Sequence, residues 1–317
     1  MVTVTAPWTP TDPLGEALHL LRMQGVFYSR TDASEPWALE MPAIVDSLSF
    51  HVITAGSCWL EAPDGGTIEL RTGDVALVPH GRGHVLASEP GLRPAGRVDL
   101  LPQHYLSDHY SVLTYGGGGR SSRLLCGIVA FREPAARALV AALPTAIRVD
   151  GTGPSATAVH DTVRLMAGEL GDLRPGGEAV TTRLADILVV QAIRSWLEHD
   201  PAARTGWLGA LHDERIGRAL AAIHRDPGAD WSLDRLATEA TMSRSSFAAR
   251  FTELVGEPAM TYVTRWRMSV AHAQLQEGAT VGAVASSLGY RSEAAFSRAF
   301  SRITGTTPGR VRRTPAA

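Results

Sequence analysis

Residues 242–256 read MSRSSFAARFTELVG, and residues 290–305 read YRSEAAFSRAFSRITG. Both open on a polar, serine-containing stretch, both space two phenylalanines four apart, and both end on glycine. Phe247, Phe251 and Gly256 in the first correspond to Phe296, Phe300 and Gly305 in the second, 49 residues on. Phenylalanines at i and i+4 share one face of a helix, and glycine commonly ends one. Ser243 and Ser292 stand where a helix takes its N-cap. The stretch therefore describes a short capped helix with one buried face, and the chain carries it twice.

Each copy follows another short helical pattern, LDRLATEA (233–240) in one case and TVGAVASSLGY (280–290) in the other. Ala237 and Ala285 supply the small residue needed where two helices touch. Leu233 with Leu236, and Val281 with Val284, supply the apolar side. Between the copies, AMTYVTRWRMSVAHAQLQEG (259–278) is long enough for a helix of about five turns. The prediction is two helix-turn-helix units joined by one rigid helix. The second helix of each unit keeps a free face that can enter a DNA major groove. That face carries Ser245, Ala248, Ala249 and Thr252 in one unit, and Glu293, Ala294, Ser297 and Arg298 in the other. Small side chains permit close approach to base edges, Arg298 suits guanine and Glu293 suits cytosine. Arg244 and Arg291, beside the helix starts, suit phosphates.

Charge is distributed accordingly. The 317 residues carry a formal net charge of −2, with no lysine among the 30 basic residues. From Trp207 onward there are 14 Arg against 10 Asp and Glu, a net of +4, which leaves −6 for the preceding residues. A basic C-terminal domain on an acidic N-terminal one fits DNA contact through the C-terminal part alone.

Ahead of this region the pattern changes. Residues 13–131 read mainly as β, in short apolar runs such as SFHVITAGSCWLEA (49–62), TIELRTGDVALVPHG (67–81) and RLLCGIVAF (123–131) between Gly, Pro and Asp turns. SDHYSVLTYGGGGRSSR (107–123), with four consecutive glycines, reads as a flexible loop. Residues 134–200 turn helical, in PAARALVAALP, TAVHDTVRLMAGELGD and EAVTTRLADILVVQAIRSWLEHD. In the last of these, Leu184, Ile187, Leu188, Gln191 and Trp196 form a broad apolar surface, fit either for packing on the same chain or for a dimer contact. The expected fold class is α+β, with a β-barrel at 1–131, a helical connector at 132–206 and an all-α DNA-binding domain at 207–317. No apolar run approaches the length of a membrane span, and the N-terminus lacks the pattern of a signal peptide, so a cytoplasmic protein with no membrane partner is expected. Two cysteines, Cys58 and Cys126, exclude a disulfide framework.

The C-terminal residues resemble the DNA-binding domain of AraC/XylS transcription regulators, most tellingly in RWRM (265–268), VASSLGYRSEAAFSRAF (284–300) and GTTPGRVRR (305–313). The resemblance covers about 100 residues and implies sequence-specific binding to double-stranded DNA, with the two recognition helices in successive major grooves. It also implies a homodimer, and RNA polymerase as a partner if the chain is an activator. The family often has larger polar or aromatic residues where this chain has Ala248 and Ala249, so the first recognition helix is expected to act more through shape and phosphate contact.

GDVALVPHGRGHVLAS (73–88) resembles the second motif of the cupin superfamily, with Gly73, Pro79, Gly81 and His84 in the fixed places. That motif implies a small double-sheet barrel with His84 turned inward. FHVITAGSCWLE (50–61) resembles the first motif but keeps only His51 of its usual ligands. A cupin enzyme wants about three His and a carboxylate on one ion, so this depleted set speaks against catalysis. Two readings of a sensor stay open. One is a pocket for an apolar or aromatic small molecule. The other is a metal or redox site made of His51, His84 and Cys126, with zinc the simplest ion and with Cys58 able to pair with Cys126 on oxidation. Alternation places Leu124, Cys126 and Ile128 on one strand face. His80, His104 and His109 fall in expected turns or loops.

Overall fold

The computed structural model describes residues 23–131, 143–152, 156–172, 176–200 and 213–313, with residues 136, 139, 140, 203, 209 and 210 besides. The start of the expected β region at 13–22, most of the expected helix at 134–144, and the boundaries expected near 132 and 206 lie outside the described residues. The chain divides into two units, one formed from residues 21–132 and 137–200, the other containing everything from 201 onward.

The first unit is built on strands whose residues alternate between two apolar faces. β1 (Met23–Ser34), β3 (Ser47–Ala55), β6 (Val75–Val78), β8 (His104–Ser107), β9 (Tyr110–Gly116), β10 (Ser121–Phe131) and β11 (Ile147–Val149) form one sheet in the order β11-β6-β3-β10-β1-β9-β8. β2 (Ala38–Met41), β4 (Ser57–Glu61), β5 (Thr67–Arg71) and β7 (His84–Ala87) form a second, in the order β2-β7-β4-β5. Pairing is antiparallel except between β1 and β9. The described strands thus make two separate sheets, not one continuously bonded barrel, with a shared core that includes Trp37, Leu39, Leu60, Leu86, Leu113 and Leu124.

The motif at 73–88 explains its own fixed residues. Gly81 has φ +58°, and a Cβ there would meet the Ile44 carbonyl oxygen at 1.7 Å, so only glycine permits this turn. Asp74 is buried and accepts from the Arg71 and Gly151 amides, both at 2.9 Å, while Arg148 pairs with it at 3.0 Å. That set pins β11 beside β6.

Two expectations need correction here. The stretch 107–123 is not one flexible loop. Tyr110–Gly116 is a strand parallel to β1, Ser121 opens β10, and only the intervening residues turn. The glycine amides of that turn donate to Ser34 and Glu35, and Arg120 pairs with Glu35 at 3.0 Å. His104, expected in a loop, lies in β8 and is exposed.

The helices expected as a separate connector pack within the first unit. α1 (Ala156–Asp172) and α2 (Gly177–His199) pair with each other, and α2 lies on β11, β1 and β6. Tyr28 Oη donates to Thr182 Oγ1 at 3.3 Å across that contact. Leu188 and Trp196 are consequently buried, while Ile187 stays 47% exposed. Of those apolar residues, Ile187 is the one left facing outward.

The second unit is helical over its described residues: α3 (Glu214–Arg225), α4 (Leu233–Glu239), α5 (Arg244–Val255), α6 (Ala259–Gln276), α7 (Val281–Ser287), α8 (Glu293–Thr304) and α9 (Pro308–Arg313). The capping chemistry is local at five of these seven helices. Ser232, Ser243 and Ser292 each accept a backbone amide at the start of α4, α5 and α8, and Asp213 and Thr280 do the same for α3 and α7. Such caps contribute about 1 kcal/mol apiece. Gly256 and Gly305 end α5 and α8 in the left-handed region, with φ +84° and +70°.

Candidate functional site

The second unit presents two matching surfaces. Phe247 and Phe251 of α5, and Phe296 and Phe300 of α8, are fully buried. Their rings sit 5.4 and 5.6 Å apart within each pair. Ala237 and Ala285 are buried at the helix contacts, as the repeat requires. Locking one face inward leaves the other in solvent. Arg244, Ser245, Ala249 and Thr252 are exposed on α5 and Ala248 is half-buried; Arg291, Glu293, Ala294 and Arg298 are exposed and Ser297 is half-buried. α6, of 18 residues, joins the two helix pairs by about 27 Å of helix, against about 34 Å for one turn of DNA.

The two surfaces differ in charge. Arg244 is drawn toward Asp234 at 3.4 Å, whereas Arg291 and Arg298 have no acidic partner among the described residues. Other arginines are structural. Arg250 ties α5 to the Asp213 cap at 3.1 Å, and Arg267 donates to the Pro227 and Ala229 carbonyls, both at 2.7 Å. Inside the first half, His224 bonds Tyr262 Oη at 2.6 Å and stacks on Trp266, and burial holds its pKa down to about 3. The sequence did not single out these contacts. The signal for Asp213 was available, since an aspartate before Glu214 opens a helical run.

In the first unit, alternation brings the expected sensor residues together. Ser29, Cys126 and His51 are cross-strand neighbours on β1, β10 and β3, and all three are buried. His51 Nδ1 lies 3.0 Å from Cys126 Sγ, and His51 Nε2 lies 2.6 Å from His84 Nε2. Burial, and then the neighbouring His84, hold the His51 pKa well below its usual range; burial holds His84 to about 4. Both imidazoles are therefore neutral at pH 7. Two proton arrangements satisfy every contact. The Cys126 thiol donates to His51 Nδ1 while His51 Nε2–H donates to His84, or each bond runs the other way.

This is a relay through His51, not a converging ligand set. Two nitrogens on one tetrahedral zinc stand about 3.3 Å apart, so 2.6 Å is a hydrogen-bond distance and too short for two ligands of one ion. Cys126 faces the opposite ring nitrogen. The expected zinc trio of His51, His84 and Cys126 is thus not assembled, and no metal-holding group of three such side chains occurs among the described residues. The expected redox pair is also subdued. Cys58 and Cys126 are free and share one core. Burial pushes Cys126 up to about 12, against the Thr31 hydroxyl, and burial, Cys126 and Asp74 raise Cys58 strongly. Neither is a resting thiolate at neutral pH, the form that reacts readily. His80 bonds the Leu143 carbonyl at 3.0 Å, and His109 bonds the Val26 carbonyl at 3.1 Å from a turn. Neither joins the relay.

The sequence left a small-molecule pocket open in this domain but did not define its lining. A cavity of about 320 Å³ opens on the inner face of the larger sheet. Its floor is made by Phe27, Ser29 and Thr31 of β1, Ser49 and His51 of β3, and Cys126 and Ile128 of β10, each set spaced by two. Residues 41–44 and 97–105 supply its walls.

With this geometry in place, similarity to known proteins is informative. A cupin family profile matches residues 12–198 and a helix-turn-helix domain profile matches 236–314. An AraC-like transcription regulator of Streptomyces lividans is 34% identical over 96% of this chain and 99% of its own length. The RCS-specific transcriptional activator RclR of Escherichia coli is 26% identical over 95% of this chain and 97% of its own. Among solved structures, fatty-acid-bound ToxT from Vibrio cholerae aligns with 93% of this chain and 98% of its own at 11% identity, with a TM-score of 0.36. No described helix is long and apolar enough to cross a membrane.

Proposed function

The chain belongs to the AraC-like transcription regulators with an N-terminal cupin domain, and from that premise we propose which surfaces read DNA and which space receives the signal. It is a sequence-specific DNA-binding regulator. Its DNA surface is the exposed face of α5 and α8. Arg298, with Ser297, Ala294 and Glu293, reads bases; Arg291 and Arg244 hold phosphates; Ala248, Ala249 and Ser245 let α5 approach closely. The observation that carries this is the pair of fully buried phenylalanines in each helix, which fixes both faces outward at once.

The cavity over the Ser29–Cys126–His51 row is the effector site, and the unit is a sensor, not a catalyst. His51, His84 and Cys126 are hydrogen-bonded to each other, Arg97 is paired with Asp99, and no metal-holding group occurs among the described residues. A second reading has one specific observation behind it. Cys58 and Cys126 share the core under the cavity. On that reading, oxidation of the thiols is the signal. The regulator works as a homodimer in the cytoplasm, joined through the outward face of α1 and α2, where Leu165, Val180 and Ile187 are exposed. RNA polymerase is the further partner if binding activates transcription.

Selection of bound sequences from a random duplex pool tests the DNA assignment. Wild type should enrich one motif with two parts, and Arg298→Ala should lose preference in one part only. Equal loss at every position would make Arg298 a phosphate contact. Enrichment of no motif would overturn the assignment.

A further inference from the structure

We propose that the cavity takes an uncharged, mainly apolar molecule bearing a hydroxyl or carbonyl group, and discriminates against carboxylates and amines of the same shape. The inference rests on reading the cavity as the effector site and adds the chemistry of what enters it.

Three features of the lining carry the argument. Most of the wall is apolar, with Phe27, Met41, Ile44, Tyr105 and Ile128 around the space. The charged residues lining it, Arg97 and Asp99, are engaged with each other. Arg97 Nε and Nη2 donate to Asp99 Oδ1 and Oδ2 at 3.1 and 2.7 Å. That two-pronged pair cancels its own charge and leaves no counter-ion for a ligand. Finally, the buried polar row is occupied internally, since both nitrogens of His51 are already bonded to Cys126 and His84. The Ser49 hydroxyl, on the same floor, makes no hydrogen bond among the described residues. A hydroxyl both donates and accepts, so it serves an alcohol or a carbonyl equally. An ionised group in this space would lose its water and gain no opposite charge, a cost that apolar contact does not recover.

The test uses the full-length protein and three naphthalene probes of one shape: 2-naphthalenemethanol, 2-naphthoate and 2-naphthylmethylamine. Isothermal titration at pH 7.5 should show the alcohol binding at least about tenfold more tightly than either ion. Ser49→Phe fills the floor and should abolish binding of the alcohol while the far-ultraviolet spectrum and DNA binding are retained. Asp99→Asn removes the charge that balances Arg97 and should shift preference toward naphthoate, a change that general loosening of the fold does not produce. Naphthoate binding wild type as tightly as the alcohol, with Ser49→Phe blocking both, would overturn the ligand class and leave the effector site standing. Binding that ignores Ser49→Phe would overturn the site itself. Failure of wild type to bind the alcohol at all also counts against the proposal.

Discussion

His51 and His84 meet Nε2 to Nε2 at 2.6 Å inside the cupin unit, and both are held neutral by burial. The pair has a consequence for stability. A histidine whose folded pKa is depressed binds its proton in the unfolded chain first. The stability it allows is therefore complete above about pH 6.5, the unfolded value, and is lost as pH falls toward the folded value. For His84 that window runs from about 6.5 to about 4, and for His224 in the DNA-binding unit from about 6.5 to about 3. Chemical denaturation at a series of pH values should show stability falling on acidification, by about 1.4 kcal/mol per pH unit for each histidine within its window. A profile flat between pH 7 and 4.5 would contradict the burial of these rings.

Adjacent residues on α2 should respond in opposite ways to the same substitution. Ile187→Asp places a charge on the exposed face and should shift the full-length protein from dimer to monomer in sedimentation with little change in melting temperature. Leu188→Asp places it against the sheet and should destabilise the unit by more than about 3 kcal/mol. A dimer unaffected by Ile187→Asp would move the interface elsewhere.

The phenylalanine pairs should prove equivalent. Phe251→Ala and Phe300→Ala each remove a fully buried ring and should cost about 3 to 5 kcal/mol. Each should also abolish reading of one part of the operator. Guanidinium unfolding alongside quantitative DNA binding checks both, and a stable variant with intact binding would contradict the anchoring role.

Arg244 and Arg298 should separate by salt and sequence. Arg298→Ala should cost about 1 to 3 kcal/mol on the selected operator and little on random duplex. Arg244→Ala should weaken both alike and reduce the slope of log affinity against log salt by about 1. Its link to Asp234 places it for backbone contact, not for base reading.

What could be read from the sequence was what the local chain dictates. Serine caps, terminal glycines and phenylalanines four apart act within one or two turns, so Ser243, Gly256, Phe247 and Phe251 declared their roles before any fold was known. Alternation likewise announced that His51 and Cys126 face inward. It did not announce their order. Whether they converge on one ion or line up through one imidazole depends on the register of β3 against β10 and on where β7 lies in the other sheet, which are long-range facts. The lining of the cavity was invisible for the same reason, since residues 97–105 close over a floor made by three distant strands. Ile187 and Leu188 are both apolar; which of them faces out is decided by the sheet beneath α2. The glycine run at 116–119 outweighed the alternation of Tyr110, Val112 and Thr114, and a strand was mistaken for a loop.

The central claim is that both recognition helices read one duplex at once, and hydroxyl-radical footprinting of the full-length protein on its selected operator tests it most directly. Two protected patches on the same face of the duplex, about one helical turn apart, are expected, with Phe300→Ala erasing one and Phe251→Ala the other. A single protected patch that survives loss of either phenylalanine would contradict it.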